Sequence, residues 1–396
     1  MSAINRRNFL KTSGITVLPA LIPALPAMAG TVLPTATPPD GPAVRFYGDG
    51  EMFTPSDYIG HLQKIMAQKE IARDFYGQGG AVAELEKKFQ EITGKEKAVF
   101  MPSGTMSNQL ALAVLSGQNT KVFVQETSHV YRDEADAAQS VHQKRLMPLA
   151  KGETYFTQEQ LQQAIEALAD NEVFASGVGA VSVENPVRRA DGRIVPIEEI
   201  KKISAYCKSN NIPLHLDGAR IHIASAWSGI SVKEYASYFD TVYISLYKYL
   251  GAESGAILCG EKKVMDKMTH LVKVHGGSMF GNWSNAAMAL YRLEGTEARL
   301  KQAIQQSAGL FDSINRIAGL KVSPLPGGSN IYSLQLDKNI EGKKFQAFLN
   351  TEYKMVIPRP DAANRSLISV NETMLYRDSA YITEGFRKAA LAAKQA

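Results

Sequence analysis

Cysteine is nearly missing: 396 residues hold two, Cys207 and Cys259. That count excludes a disulfide-dense scaffold, and no Cys/His cluster has the spacing of a metal site. Cys207 sits in a helical pattern and Cys259 in an apolar strand, which favours two inert buried thiols over a disulfide. Charge of one sign is also in short supply. The formal net charge is +5, and Arg6, Arg7 and Lys11, in an N-terminal stretch without acids, supply three of those units. The remainder is close to neutral, so a nucleic-acid partner is not indicated. No GxGxxG and no P-loop is present to claim a nucleotide phosphate. There is no internal repeat, and beyond the N-terminus no apolar segment long enough to span a bilayer.

What is present begins with "MSAINRRNFLKTSGITVLPALIPALPAMAG". A twin arginine precedes Phe9, Leu10 and Lys11, then an uncharged stretch, then Ala27-Met28-Ala29 as a small-residue cleavage site. Residues 1–29 thus resemble a bacterial twin-arginine export signal, with Asn5 where Ser or Thr is usual. Pro19, Pro23 and Pro26 make a poor spanning helix, so a removed signal and a periplasmic protein without stable membrane insertion are expected. Residues 30–44, "GTVLPTATPPDGPAV", read as a proline-rich extended tether. The composition, 45% hydrophobic and 21% charged, is that of a globular chain long enough for a large domain plus a smaller one.

From about residue 70 helical and strand patterns alternate. Val82, Leu85, Phe89 and Ile92 share one helical face, and "KAVFM" follows as a buried strand. "TMSNQLALAVLSG" groups Met106, Leu110, Ala113 and Val114 on another helix. Apolar strands recur at "KVFVQ", "GVGAVSVE", "IPLHLD" and "TVYISL", separated by helices such as 157–168 and 196–209. This predicts an α/β fold over 45–285, with a mostly parallel sheet covered on both faces. Over 286–396 a long helix, the runs "IYSLQL" and "RSLISV", and a final helix predict a smaller α+β domain.

Ligands of open parallel sheets bind beyond the carboxyl ends of the strands, and four unusual groups stand there. After "KAVFM" comes "PSGTMSN", whose Ser103, Gly104 and Thr105 open a helix; that is a phosphate cradle, or simply an N-cap. After "KVFVQ" comes His129 in a loop, a setting more often occupied by a surface residue. Asp217 closes "IPLHLD" with Arg220 three residues on, and the plain reading is a structural pair. Lys248 interrupts "VYISLYKYLGAESGAILCG", a run that otherwise reads as core. A lysine there either snorkels to water or sits in a dry pocket as a nucleophile or Schiff-base former. Together, a phosphate anchor, a carboxylate, a guanidinium and an amine are the parts that pyridoxal phosphate needs.

These residues carry a resemblance. "DFYGQGGAVAELEKKFQEITGKEKAVFMPSGTMSNQLAL", "SHVYRDEADA", "ENP", "DGRIVP", "LHLDGAR" and "LYKYLGAESGAIL" occur, in this order, as in the threonine aldolase / β-eliminating lyase family of fold-type I pyridoxal phosphate enzymes. The similarity covers roughly residues 45–300 and continues more loosely to the end. It implies the aspartate aminotransferase-like fold, an amino-acid substrate, and a site built at a homodimer or homotetramer interface. It further implies that Gly104 and Thr105 bind the phosphate and that His129 stacks on the ring. Asp217 would pair with the pyridine nitrogen, Arg220 would contact the ring oxygen, and Lys248 would hold the cofactor covalently.

The positions expected to meet substrate depart from the family pattern. Gly48-Asp49 stands where the family has Ser-Asp, and Val187 where it carries a histidine near the substrate β-hydroxyl. Phe280 replaces an interface arginine, and Tyr247 a small serine. The carboxylate-gripping arginine is expected at Arg365, one position out of register, with Arg359 as the fallback. His129 is then the expected base for aldol cleavage of threonine or allo-threonine, and His222 a helix residue packed behind the site. A β-eliminating or other amino-acid lyase is the alternative. A non-catalytic periplasmic protein that binds cofactor or amino acid comes third.

Overall fold

Residues 41–395 are described in this computed structural model. The expected export signal at 1–29 and residues 30–40 of the expected tether lie outside them. Seven strands form the main sheet: β1 Lys97–Met101, β2 Lys121–Gln125, β3 Arg145–Leu149, β4 Val178–Glu184, β5 Leu214–Asp217, β6 Thr241–Ser245 and β7 Ala256–Gly260. Their spatial order is β1-β7-β6-β5-β4-β2-β3. Only β7 runs against its neighbours; β3, β2, β4, β5 and β6 pair in parallel. Strands covered on both faces must be apolar throughout, and β2, β6 and β7 are buried at every residue. The α/β architecture with a mostly parallel sheet is therefore the observed one.

The covering helices follow from capping and periodicity. Helix α1 (Gly80–Thr93) buries Val82, Leu85 and Phe89 and stops at Gly94, whose φ of +67° suits a residue without Cβ. Helix α2 (Gly104–Ser116) starts where the Ser103 hydroxyl accepts the Met106 N–H at 3.2 Å. Of the predicted face Leu110 is buried while Met106, Ala113 and Val114 are half-buried; Leu110 and Ala111 pack beside Met101 and Tyr243, and Leu112 packs on Val122 and Val124. Thr157 and Gln160 form a capping box at α3 (Gln158–Asn171), and α4 (Ile197–Ser209) matches its predicted span. Cys207 and Cys259 are free and buried, and burial pushes both thiols up to about 12.

A second core forms around the antiparallel sheet β10-β9-β8, made of β8 Leu320–Pro324, β9 Ile331–Leu336 and β10 Arg365–Ser369. Its apolar residues include Leu310, Val322, Leu334, Phe345, Ile368 and Phe386. The two cores interleave along the chain. Val44 and Phe46 join the second core, where Val44–Arg45 pairs with Met355–Val356, while Ala286–Ala289 pack into the first. Apolar periodicity marks burial but not the core a segment enters. Among the described residues no helix is long and apolar enough to cross a membrane.

Candidate active site

Because β1, β2, β4, β5 and β6 point the same way, their carboxyl ends share one edge, and the predicted residues meet along it. At the end of β1, Gly104 opens α2 directly over Tyr243 of β6. A Cβ at position 104 would lie 2.1 Å from the Tyr243 hydroxyl. Glycine is thus required by close approach, beyond the N-cap that Ser103 supplies. Gly104→Ala should lower stability by about 1–3 kcal/mol, the range for overpacking, as read by chemical denaturation. Wild-type stability in that variant would show that the helix start shifts freely.

One turn along α2, buried Asn108 joins most of the polar groups. Its Nδ2 donates to Asp217 Oδ2 at 3.0 Å and to Glu134 Oε1 at 2.8 Å. Its Oδ1 faces His215 Nε2 at 3.0 Å, and His215 Nδ1 lies 2.8 Å from the Thr241 hydroxyl. Burial pulls His215 down to about 4, so the ring is neutral. Nε2–H then donates to Asn108, and Nδ1 accepts from Thr241. Asp217 also accepts the Ala219 N–H at 3.2 Å. Each buried group in this chain has a partner, which fixes the Asp217 carboxylate rigidly.

His129 lies beside it. Its Nδ1 is 3.0 Å from Glu134 Oε1, and its N–H donates to Glu184 Oε2 at 2.6 Å. The hydrogen bond to Glu134 raises the imidazole against the opposing effect of burial, and the Asp217 charge adds to the rise. Glu184, at the end of β4, is pushed up to about 7 by burial and then by Asp217. Its other oxygen accepts the Arg188 N–H at 2.8 Å. One carboxylate therefore positions the backbone of both loops that flank the site. Ligand atoms of His129, Glu134 and Asp217 lie within 4.8 Å of one another.

The plain Asp217–Arg220 pair is not what forms. Arg220 donates to Asp49 bidentately, Nε to Oδ1 at 2.6 Å and Nη2 to Oδ2 at 2.9 Å. Burial works against the guanidinium, and Asp49 outweighs it. The Asp49 carbonyl also accepts the Tyr249 N–H at 3.1 Å, tying this segment to the turn that carries Lys248.

Among the described residues three lysines are buried, and they differ. Lys121 Nζ meets Glu172 Oε2 at 2.7 Å, and Lys144 Nζ donates to the Gly117 and Asn119 carbonyls at 2.6 and 2.9 Å. Lys248 is 6% exposed, and its ammonium has no carboxylate or carbonyl partner among the described residues. Its ammonium stands 5.1 Å from the centroid of the Tyr247 ring. A buried ammonium left in this state is costly unless something else occupies the amine.

The remaining expectations fare differently. Thr105 is half-buried in the first turn of α2. Arg365 is not brought to the site. It starts β10, four residues before Ser369, which lines the cavity beside Arg220, and its half-exposed guanidinium pairs with Asp361. The physical reason is the strand itself: at about 3.3 Å per residue, four positions carry the group roughly 13 Å away. Arg359 is exposed. Val187 is fully buried in the first core. His222 packs behind the site against Phe89, pulled down to about 4 by burial. Asn108, Glu134 and Glu184 were not singled out as site residues, and Asp49 was named only beside Gly48 and without Arg220 as its partner, although His215 and Asp217 alternate on one strand face and Asn108 lies four residues after Gly104.

A profile of the beta-eliminating lyases matches residues 56–335. The chain belongs to the beta-eliminating lyase family. A low-specificity L-threonine aldolase of Candida albicans is 38% identical over 228 residues, 57% of this chain and 60% of that one. The alanine racemase TOXG of Cochliobolus carbonum is 33% identical over 211 residues, 53% of each. These matches span little more than half of the curated relatives. A solved structure from Exiguobacterium sp. 255-15, a candidate aromatic amino acid beta-eliminating lyase/threonine aldolase, superposes with a TM-score of 0.73 at 26% identity, covering 88% of this chain and 97% of that one. The fold of this family member is accordingly that of the fold-type I pyridoxal phosphate enzymes.

Proposed function

We propose that the protein is a pyridoxal phosphate-dependent aldolase that cleaves a β-hydroxy-α-amino acid, threonine or allo-threonine, to glycine and acetaldehyde. The observation that carries this reading is the unpaired, buried Lys248 ammonium at the same strand edge as Asp217 and the start of α2. The donor set fits the cofactor. Lys248 Nζ would hold it covalently, the α2 N-terminus at Gly104 and Thr105 would face its phosphate, Asp217 its pyridine nitrogen, and Arg220 its ring oxygen. When bound, it supplies an electron sink for the pair released at the substrate α-carbon.

The chain's own residues handle the protons. With Nδ1–H of His129 donating to Glu134, Nε2 is the ring atom left to accept the β-hydroxyl proton as the Cα–Cβ bond breaks. Lys248 Nζ, once free, would return a proton to the α-carbon. Where the resemblance places a histidine near the hydroxyl, this chain has the fully buried Val187, and this favours β-elimination as the competing reading. The experiment is to incubate the purified holoprotein with threonine, allo-threonine, phenylserine and cysteine. Aldehyde and glycine are expected. Pyruvate or ammonia instead would install the lyase reading, and no change in any amino acid the non-catalytic one.

Two further parts belong to this proposal. The exposed aromatic group Phe75, Tyr76 and Phe280, with ring centroids 5.3 and 5.7 Å apart, supports a homodimer or homotetramer. The twin-arginine pattern of residues 1–29 supports export to the periplasm.

A further inference from the structure

A small cavity of about 130 Å³ opens beside Arg220, with Asp49, Arg188, Tyr249, Asn330 and Ser369 among its walls. An amino-acid substrate brings a carboxylate into such a space, and a desolvated carboxylate needs a cation with free donors. Arg365 does not reach the cavity. Arg220 does, but its Nε–Nη2 edge is held by Asp49, and its remaining donors are the ones the cofactor's ring oxygen would take. Arg188 differs. Its only carboxylate among the described residues is Asp133, and Arg189 already grips both Asp133 oxygens, Nε to Oδ2 at 2.9 Å and Nη2 to Oδ1 at 2.5 Å. Arg188 is left with one contact, Nη1 to Oδ2 at 3.1 Å. Two guanidiniums on one carboxylate leave a positive charge uncompensated, and the rest of the Arg188 fork makes no hydrogen bond among the described residues. Its backbone, meanwhile, is fixed by Glu184, the same carboxylate that positions His129.

We propose that Arg188 binds the α-carboxylate of the substrate, in the place where Arg365 was expected. The assignment rests on the aldolase reading, since it presupposes an amino acid in this cavity. Arginine suits the role because its planar fork matches a carboxylate. The half-exposed side chain lines the cavity together with Ser369, the last residue of β10.

The test uses the holoprotein and two probes, glycine and methylamine, which share an amine and differ by the carboxylate. Each is titrated against the visible spectrum of the bound cofactor to give an apparent Kd. Arg188→Gln should weaken glycine by roughly 10- to 100-fold, the loss of one charge-assisted pair, and leave methylamine unchanged. Arg188→Lys should fall between. Arg365→Gln should match the wild type for both. In turnover, Arg188→Gln should raise KM far more than it lowers kcat. Glycine affinity within twofold of wild type in Arg188→Gln overturns the assignment, and so does an equal loss for both probes. A wild-type holoprotein without any visible cofactor band would sink the parent reading and this one with it, whereas an intact band with unchanged glycine binding sinks this one alone.

Discussion

Lys248→Ala yields a folded protein that no longer holds cofactor covalently and whose turnover falls by at least roughly a thousandfold. Reduction with borohydride should attach a cofactor adduct to position 248 of the wild type and none to the variant. The same substitution makes a second, opposite-signed statement about stability. Removing an ammonium that has no partner relieves a desolvation cost, so the cofactor-free variant should melt no lower than the cofactor-free wild type. Lys121→Ala is the contrast. It strips the partner from the partly exposed Glu172 and empties the buried space that Lys121 fills, which costs on the order of 1–3 kcal/mol. A trapped adduct on another lysine, or a Lys248→Ala protein as unstable as Lys121→Ala, would show that position 248 is structural.

What could be read from the sequence follows the reach of local rules. Lys248, Asp217, His129 and Gly104 each end an apolar strand or open a helix, and strand direction alone brings such ends to one edge. The partners of these groups were not legible. Asn108 meets Asp217 across 109 positions of chain and Asp49 meets Arg220 across 171. Nothing in a local pattern says that a carboxylate just after Val44–Arg45, ahead of the main sheet, will return to a guanidinium after β5. The plain pairing of Asp217 with Arg220 failed for that reason: proximity in sequence stood in for proximity in space. Arg365 failed through register, since a matching strand only places a side chain once its partner strand is known. Val187 shows a third limit. Its alignment with a substrate-facing histidine is real in sequence, yet its apolar side chain turns into the core.

Asp217→Asn keeps the shape of the side chain and removes its charge, and it should lower turnover by roughly 10² to 10⁴-fold while cofactor remains covalently bound to Lys248. The charge is what would keep a proton on the pyridine nitrogen; Asn108 and the Ala219 N–H hold the group in place but supply none. A pH signature accompanies the loss. The Asp217 charge helps raise both Glu184, which stands at about 7 against an ordinary 4.5, and His129. In each case the folded value lies above the unfolded one. The associated stability is therefore complete below the unfolded value and lost as pH rises through the folded value. Cofactor-free wild type should lose stability as pH climbs from about 4.5 toward 7, and Asp217→Asn should lose less over the same window. Denaturation midpoints measured across that range decide the point. Parallel pH curves for the two proteins, together with near-wild-type turnover in the variant, would mean that Asp217 acts on neither the cofactor nor its two neighbours.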